Sequence, residues 1–434
     1  MDDQRHPLAE THYPQVANHL LDDPTPKDQA IYVPSVSAGY AKDVFAQNWQ
    51  RPLPNGIGAG DLNFLDPNNK LFRISHAMTS AGQALHQTKP CIITERNRKS
   101  TLVIGDSGGY QIATNQMTIN GDKDRLKILR WLENTADVAM TLDVPSGPVL
   151  RGGYAFKSTK DCLTATLDHI AFFHRNRVPG KVRFLNVLQG NTPSEANAWY
   201  NAVKQYKFEG WAFAGVLRHN VEYFLERIIR MADEGQLQNK SWIHVLGTCE
   251  LETAVLLTAL QRAINLNINP NLRISYDTSS PFRILSFGLA YSIPKFDTKR
   301  MIMGSAKSPD GSGFVDSGLR WPWPSPLGDR MAMGDFCIKR PVTAFNQRDT
   351  QSHHYLAHHN LAALCFGIGL ANRVFDSESV NHDHTIGLPV GAAVEAINKV
   401  LKAGTIDELR KYARTFSHVR HGSMPDSGED ERDF

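Results

Sequence analysis

The sequence predicts an α/β chain folded as a (β/α)8 TIM barrel with loop insertions and extra C-terminal helices. Short apolar runs of strand length alternate with longer segments whose apolar residues repeat at helical spacing, and such alternation builds a parallel sheet. About eight of these runs occur, the number that closes a barrel. Several end in carboxylates, amides and glycines, and the C-terminal ends of strands are where barrel enzymes carry their chemistry.

Residues 1–30 are polar and proline-containing and read as an N-terminal arm. The barrel is expected over 31–375. Its strands are expected at 31–33, 102–104, 138–142, 182–188, 210–216, 242–246, 273–276 and 300–303. Helical patterns occupy 158–174, 193–206, 221–233 and 251–264. Residues 50–72, rich in Gly, Pro and Asn, read as a loop insertion. They contain Gly56-Ile57-Gly58-Ala59-Gly60, but Pro52 and Pro54 precede it where a dinucleotide fingerprint needs a strand. A second insertion is expected near 308–345, around Trp321-Pro322-Trp323-Pro324. Helices follow at 354–373, 390–401 and 406–414, so that extra C-terminal helices fill 376–421. Thr405 with Glu408 three residues on is a capping-box signature. The acidic end, 422–434, reads as a disordered tail.

Bulk properties narrow the class. The chain has 434 residues, ample for one large core. Its hydrophobic content of 41% and charged content of 21% are those of a globular domain. A net charge of +3, from 47 basic and 44 acidic residues, neither requires nor excludes a nucleic-acid partner. Five scattered cysteines without a CxxC pair exclude a disulfide scaffold and fit a reducing compartment. No apolar stretch has membrane-spanning length, and no signal core opens the chain. The expected location is the cytoplasm, with no membrane partner.

The most informative stretch is Asp106-Ser107-Gly108-Gly109-Tyr110-Gln111, directly after the apolar run 102–104. A carboxylate, two turn-permitting glycines, a ring and an amide make a cradle for a flat polar molecule such as a nucleobase. Asp143 closes the next run, Gln189-Gly190 the one after, and Gly215-Val216 the fourth. Leu246-Gly247 and Asp277-Thr278-Ser279 close two more. An Asp or Ser after a strand also caps the following helix. Three carboxylates and two amides at separate strand ends are less readily explained that way.

This ordered set resembles the queuine/archaeosine tRNA-guanine transglycosylase superfamily. The DSGG-aromatic-Gln motif is its most recognisable signature, and Val187-Leu188-Gln189-Gly190, Ala212-Phe213-Ala214-Gly215-Val216, Leu246-Gly247, Tyr276-Asp277 and His359-Asn360-Leu361 follow in the family's order. The resemblance implies base exchange at C1′ of a sugar, by double displacement through a covalent Asp–sugar intermediate. It implies Asp277 as nucleophile and Asp106 as the acid/base group. Asp143, Gln189 and Gly215 would read a guanine-like base, with Ser107, Gly109, Gln111 and Val216 lining the pocket. Tyr110 and Leu246 would sandwich the ring. No cofactor is expected.

The sequence departs from that family at its zinc site, three closely spaced cysteines and a histidine. Cys337 stands alone in the corresponding region, and His354 and His358, at i,i+4, are the remaining weak candidates for zinc. The missing cysteines point away from tRNA. The segments 142–146 and 275–281 look more like the DNA 7-deazaguanine transglycosylases of bacteria and phages, which place 7-cyano-7-deazaguanine (preQ0) in DNA. The expected partners are therefore DNA and free preQ0, with a second copy of the chain as a further candidate. Arg218, Arg283 and Lys307, each shortly after a strand end, are the expected phosphate contacts. The basic clusters 96–99 and 175–183 are further candidates, and the Trp-Pro-Trp-Pro segment reads as a stacking platform or a loop anchor. A tRNA acceptor, a non-catalytic accessory subunit and an unrelated carboxylate hydrolase are the competing readings.

Overall fold

The computed structural model describes residues 28–84, 89–309, 312–337, 349–376 and 386–419. At its centre are eight parallel strands: β1 (Ile31–Pro34), β2 (His76–Ser80), β3 (Leu102–Asp106), β4 (Val138–Met140), β5 (Arg183–Leu188), β6 (Gly210–Phe213), β7 (Trp242–Val245) and β8 (Arg273–Thr278). They pair in the order β1-β8-β7-β6-β5-β4-β3-β2. The ring closes where Ser35 bridges Met78 and the Val36 N–H donates to the Met78 carbonyl at 3.0 Å. The chain is thus an α/β protein with the predicted (β/α)8 TIM-barrel fold.

Side chains along each strand alternate between two apolar clusters, as the pleat requires. Ile31, Val33, Met78, Ile104, Met140 and Val187 fill the barrel interior. Their neighbours Tyr32, Ala77, Val103, Ala139 and Phe184 face the helices. The same alternation turns Trp242 and His244 of β7, and Ser275 and Asp277 of β8, inward. Polar groups thereby concentrate in the upper interior on that side.

The principal helices are α1 (Ala38–Ala46), α2 (Asp122–Thr135), α3 (Thr159–Asn176), α4 (Pro193–Val203), α5 (Val221–Asp233), α6 (Leu251–Asn267), α7 (Thr350–Asp376) and α8 (Leu388–Ala403). Ser158, Thr192 and Asn220 cap α3, α4 and α5 by accepting a backbone N–H. The helix expected at 406–414 breaks at Tyr412 into Ile406–Lys411 and Ala413–Ser417, with Thr405 accepting the Glu408 N–H at 3.3 Å. Residues 51–75 carry no helix or strand and are stapled to α7 by Arg51, whose Nε lies 2.9 Å from Asp349 Oδ2. The expected arm up to residue 27, positions 338–348 of the second insertion and the tail from 420 lie outside the described residues. Among the described residues no helix is long and apolar enough to cross a membrane.

Two expectations are corrected. Residues 300–303 are not a barrel strand: Met301–Ile302 pairs antiparallel with Lys295–Phe296 in a small ribbon. The missing strand is β2, where only Ala77 and Met78 are buried and the flanking residues are half-buried and polar. The basic clusters also lie at the wrong end. Arg96 and Arg98 hold Asp137 at 2.7 and 3.1 Å, and Asp137 also accepts the Val103 N–H. Arg177 holds Glu209 at 2.7 Å, just before β6. These arginines brace the N-terminal ends of the strands, opposite the expected mouth.

Candidate active site

β2 and β3 pair Ser80 with Asp106 in register. The Ser80 hydroxyl lies 2.7 Å from Asp106 Oδ2 and 2.9 Å from Gln111 Oε1, and the Gly108 N–H donates to Asp106 Oδ2 at 3.1 Å. Burial raises the Asp106 carboxyl above its ordinary value, outweighing these hydrogen bonds, and the nearby Asp277 charge pushes the same way. The turn needs glycine: Gly108 has φ 102°, and a Cβ there would lie 2.5 Å from Met117. Ser107, expected in the pocket, is instead buried and donates to the Thr141 carbonyl at 3.1 Å, tying β3 to the end of β4.

Beyond β4, Asp143 is buried and accepts Gln189 Nε2 at 2.8 Å. Burial lifts its carboxyl to about 7, against the Gln189 hydrogen bond and with the Asp106 charge adding to the rise. A Cβ added at Gly109 would sit 3.1 Å from Asp143 Oδ1, so bare backbone leaves that oxygen room. The folded protein holds the Asp143 proton longer than the unfolded chain does. Stability therefore falls as pH rises from the ordinary carboxylate value through about 7. Asp143→Asn removes this titration, and thermal melting across that window should show a flatter decline than the wild type. An unchanged slope would contradict the assigned shift.

Gly215 follows β6 with φ 58°, and a Cβ there would lie 2.3 Å from the Gly190 carbonyl oxygen, which accepts the Val216 N–H at 2.9 Å. Only glycine closes this contact between the ends of β5 and β6. Gly215→Ala is expected to cost about 1–3 kcal/mol, from the left-handed backbone alone. Urea unfolding should show a lowered midpoint.

Asp277, on β8, has the most donors. Its Oδ2 accepts the Ser35 hydroxyl at 2.6 Å. Its Oδ1 accepts the Gly247 N–H at 2.7 Å and faces His244 Nε2 at 3.2 Å. Burial by itself would raise this carboxyl, but His244, Gly247 and Ser35 outweigh burial and hold it below its ordinary value. His244 Nδ1 lies 2.7 Å from Ser275 Oγ, which also accepts Trp242 Nε1–H at 2.7 Å. Sequence reading passed over His244, Ser35, Ser80 and Ser275. A signal was present: His244 two residues after Trp242, and Ser275 two before Asp277, share one strand face each.

Tyr110 and Leu246 are half-buried at the ends of β3 and β7, four strands apart around the ring. Arg218, just after β6, bridges to the end of the neighbouring strand β7, its Nη1 donating to the Leu246 carbonyl at 3.3 Å. Arg283 ends the short turn Ser280–Arg283 after β8, and Lys307 is exposed on the strand Ser305–Lys307. Trp321 is a loop anchor: it is buried, 4.2 Å from the Phe336 ring and 5.0 Å from the His359 ring on α7. Asn360 of α7 accepts the Tyr291 N–H at 2.8 Å and donates to the Pro281 carbonyl at 3.1 Å, fixing the segment that follows Asp277.

The candidate zinc ligands do not assemble. His354 pairs with Asp43 at 3.1 Å, while His358 is buried edge-on to Phe72 and held neutral by that burial, lowered to about 3. Among the described residues no three His, Cys, Asp or Glu groups are grouped to hold a metal. The converging groups are carboxylates: Asp277 biased toward its ionised form, and Asp106 and Asp143 toward their protonated forms. The two kinds of environment favour opposite protonation states within one site. No protein-family model matches the chain, and no curated protein matches it.

Proposed function

We propose that this chain is a DNA-guanine transglycosylase, exchanging guanine in DNA for a 7-deazaguanine such as preQ0. The observation that carries the reading is the opposed electrostatics of Asp277 and Asp106 at one barrel mouth. The sequence resemblance to base-exchanging barrels supplies the substrate class.

The chemistry runs as a double displacement. The target nucleotide leaves the stack and enters the mouth. An Asp277 oxygen bonds to C1′ as the C1′–N9 bond breaks, and the electron pair departs on the base. Asp106, its carboxyl raised by burial, gives that base a proton. The incoming 7-deazaguanine returns a proton to Asp106. Its ring nitrogen then attacks C1′, and the ester bond breaks to restore the Asp277 carboxylate. One base leaves and one enters, with no redox or nucleotide cofactor consumed. Asp143, steadied by Gln189, meets the polar edge of the base. Arg218, Arg283 and Lys307 supply phosphate contacts. Donor cradles around both Asp106 and Asp277 speak against a non-catalytic accessory role.

The test is label transfer with purified protein. Radiolabelled preQ0 should enter DNA with release of one free guanine per label. Label entering tRNA and not DNA would overturn the acceptor. Base release without incorporation would overturn exchange in favour of hydrolysis.

A further inference from the structure

We infer that His244 is a positioning residue for Asp277, held in one tautomer by Ser275 and Trp242, and that the attacking oxygen is Asp277 Oδ2. The inference rests on the base-exchange reading and deepens it. Trp242 Nε1–H can only donate, and an ionised carboxylate can only accept. Between these fixed ends the chain Trp242–Ser275–His244–Asp277 has one direction that leaves no proton over. Trp242 donates to Ser275 Oγ at 2.7 Å, the Ser275 hydroxyl to His244 Nδ1 at 2.7 Å, and His244 Nε2–H to Asp277 Oδ1 at 3.2 Å. All four side chains are buried.

The donors are distributed unequally over the carboxylate. Among the described residues, Oδ1 takes both His244 and the Gly247 N–H, whereas Oδ2 takes Ser35 alone. Oδ2 therefore keeps an open lone pair and Oδ1 is anchored. Formation of the C1′–Oδ2 bond removes the negative charge these donors face. Its cleavage restores that charge, so the donors favour release of the sugar to the incoming base. A histidine that merely fills the core would have no preferred partner at either ring nitrogen. Among the described residues, other titratable groups that act on Asp277 through space are Asp106 across the mouth and, on the outer side of the barrel wall, Tyr32 on β1 and Cys249 beyond Gly247. Burial raises the last two well above their ordinary values, so they stay neutral.

The full-length chain carries the test, through His244→Phe, His244→Gln and Ser275→Ala. His244→Phe should lower kcat by about 10- to 100-fold, the worth of a hydrogen bond to a charged group. KM for the free base should stay within about threefold. Loss of a donor to the ionised form raises the Asp277 carboxyl, so the acid limb of the kcat profile should move to higher pH by about one unit. His244→Gln, which keeps an N–H donor, should restore most of kcat and return the limb. An acid limb unmoved by His244→Phe would overturn the inference. A readout independent of turnover is the 15N spectrum of histidine-labelled protein, with the His244 signal identified by its loss in His244→Gln. It should show the Nε2–H tautomer in the wild type and mixed tautomers in Ser275→Ala. An Nδ1–H tautomer in the wild type would overturn the relay. If the wild type exchanges no base on DNA or tRNA, the functional reading fails, and the tautomer measurement still decides the relay.

Discussion

Asp277→Asn is expected to lower base exchange by at least about four orders of magnitude, the scale on which loss of a covalent nucleophile acts. The substitution is isosteric and leaves an oxygen to accept the Gly247 N–H, so the barrel should remain folded. The loss belongs to chemistry, because an amide oxygen does not form the sugar ester. A denaturing gel should show a protein–DNA adduct for the wild type and none for the variant. The stability change has a defined sign. The Asp277 carboxyl titrates below its ordinary value. Its hydrogen bonds therefore stabilise the fold at and above the ordinary pKa, and that contribution is lost as pH falls through the depressed one. The stability gap between wild type and Asp277→Asn should accordingly narrow in acid. A variant that still exchanges base would remove Asp277 from the mechanism.

Asp106→Asn is expected to cost about 10²- to 10⁴-fold in exchange, the usual contribution of a general acid/base. In the proposed scheme both half-reactions pass a proton through this group, so neither base departure nor base entry should be spared. The pH profile distinguishes this role from a structural one. Asp277 must be ionised and Asp106 protonated for the first half-reaction, so the single-turnover rate of guanine release should fall at both ends of the pH range. The alkaline limb belongs to Asp106, whose carboxyl burial raises. Asp106→Asn should abolish that limb and leave the acid limb in place. Retention of both limbs would assign the alkaline one to another group, with Asp143, at about 7, as the nearest candidate.

The barrel was legible because most of its strands are buried, largely apolar runs bounded by polar strand ends. β2 escaped notice because His76, Thr79 and Ser80 are polar and follow a long irregular segment. The run 300–303 drew attention instead: its apolar residues resemble a strand, yet they pair only with a two-residue neighbour. The carboxylates at the mouth were legible because strand ends advertise them. Their donors were not, since Ser35 and Ser80 look like ordinary turn serines and His244 like a core residue inside Trp242–Val245. What distinguishes His244 is its neighbour across β8, and that pairing exists only once the register His244↔Ser275 is known. The basic clusters misled for the same reason. Composition gives their charge, but only topology shows that Asp137 and Glu209 hold their arginines at the far end of the barrel.

Exchange of guanine in DNA through Asp277 is the proposed activity. It is tested most directly by expressing the wild type and Asp277→Ala in cells supplied with preQ0, then digesting their DNA and tRNA for nucleoside mass spectrometry. The prediction is the preQ0 deoxynucleoside in DNA from wild-type cells and its absence from Asp277→Ala cells. Modified tRNA with unmodified DNA, or modified DNA that persists in the Asp277→Ala cells, would contradict it.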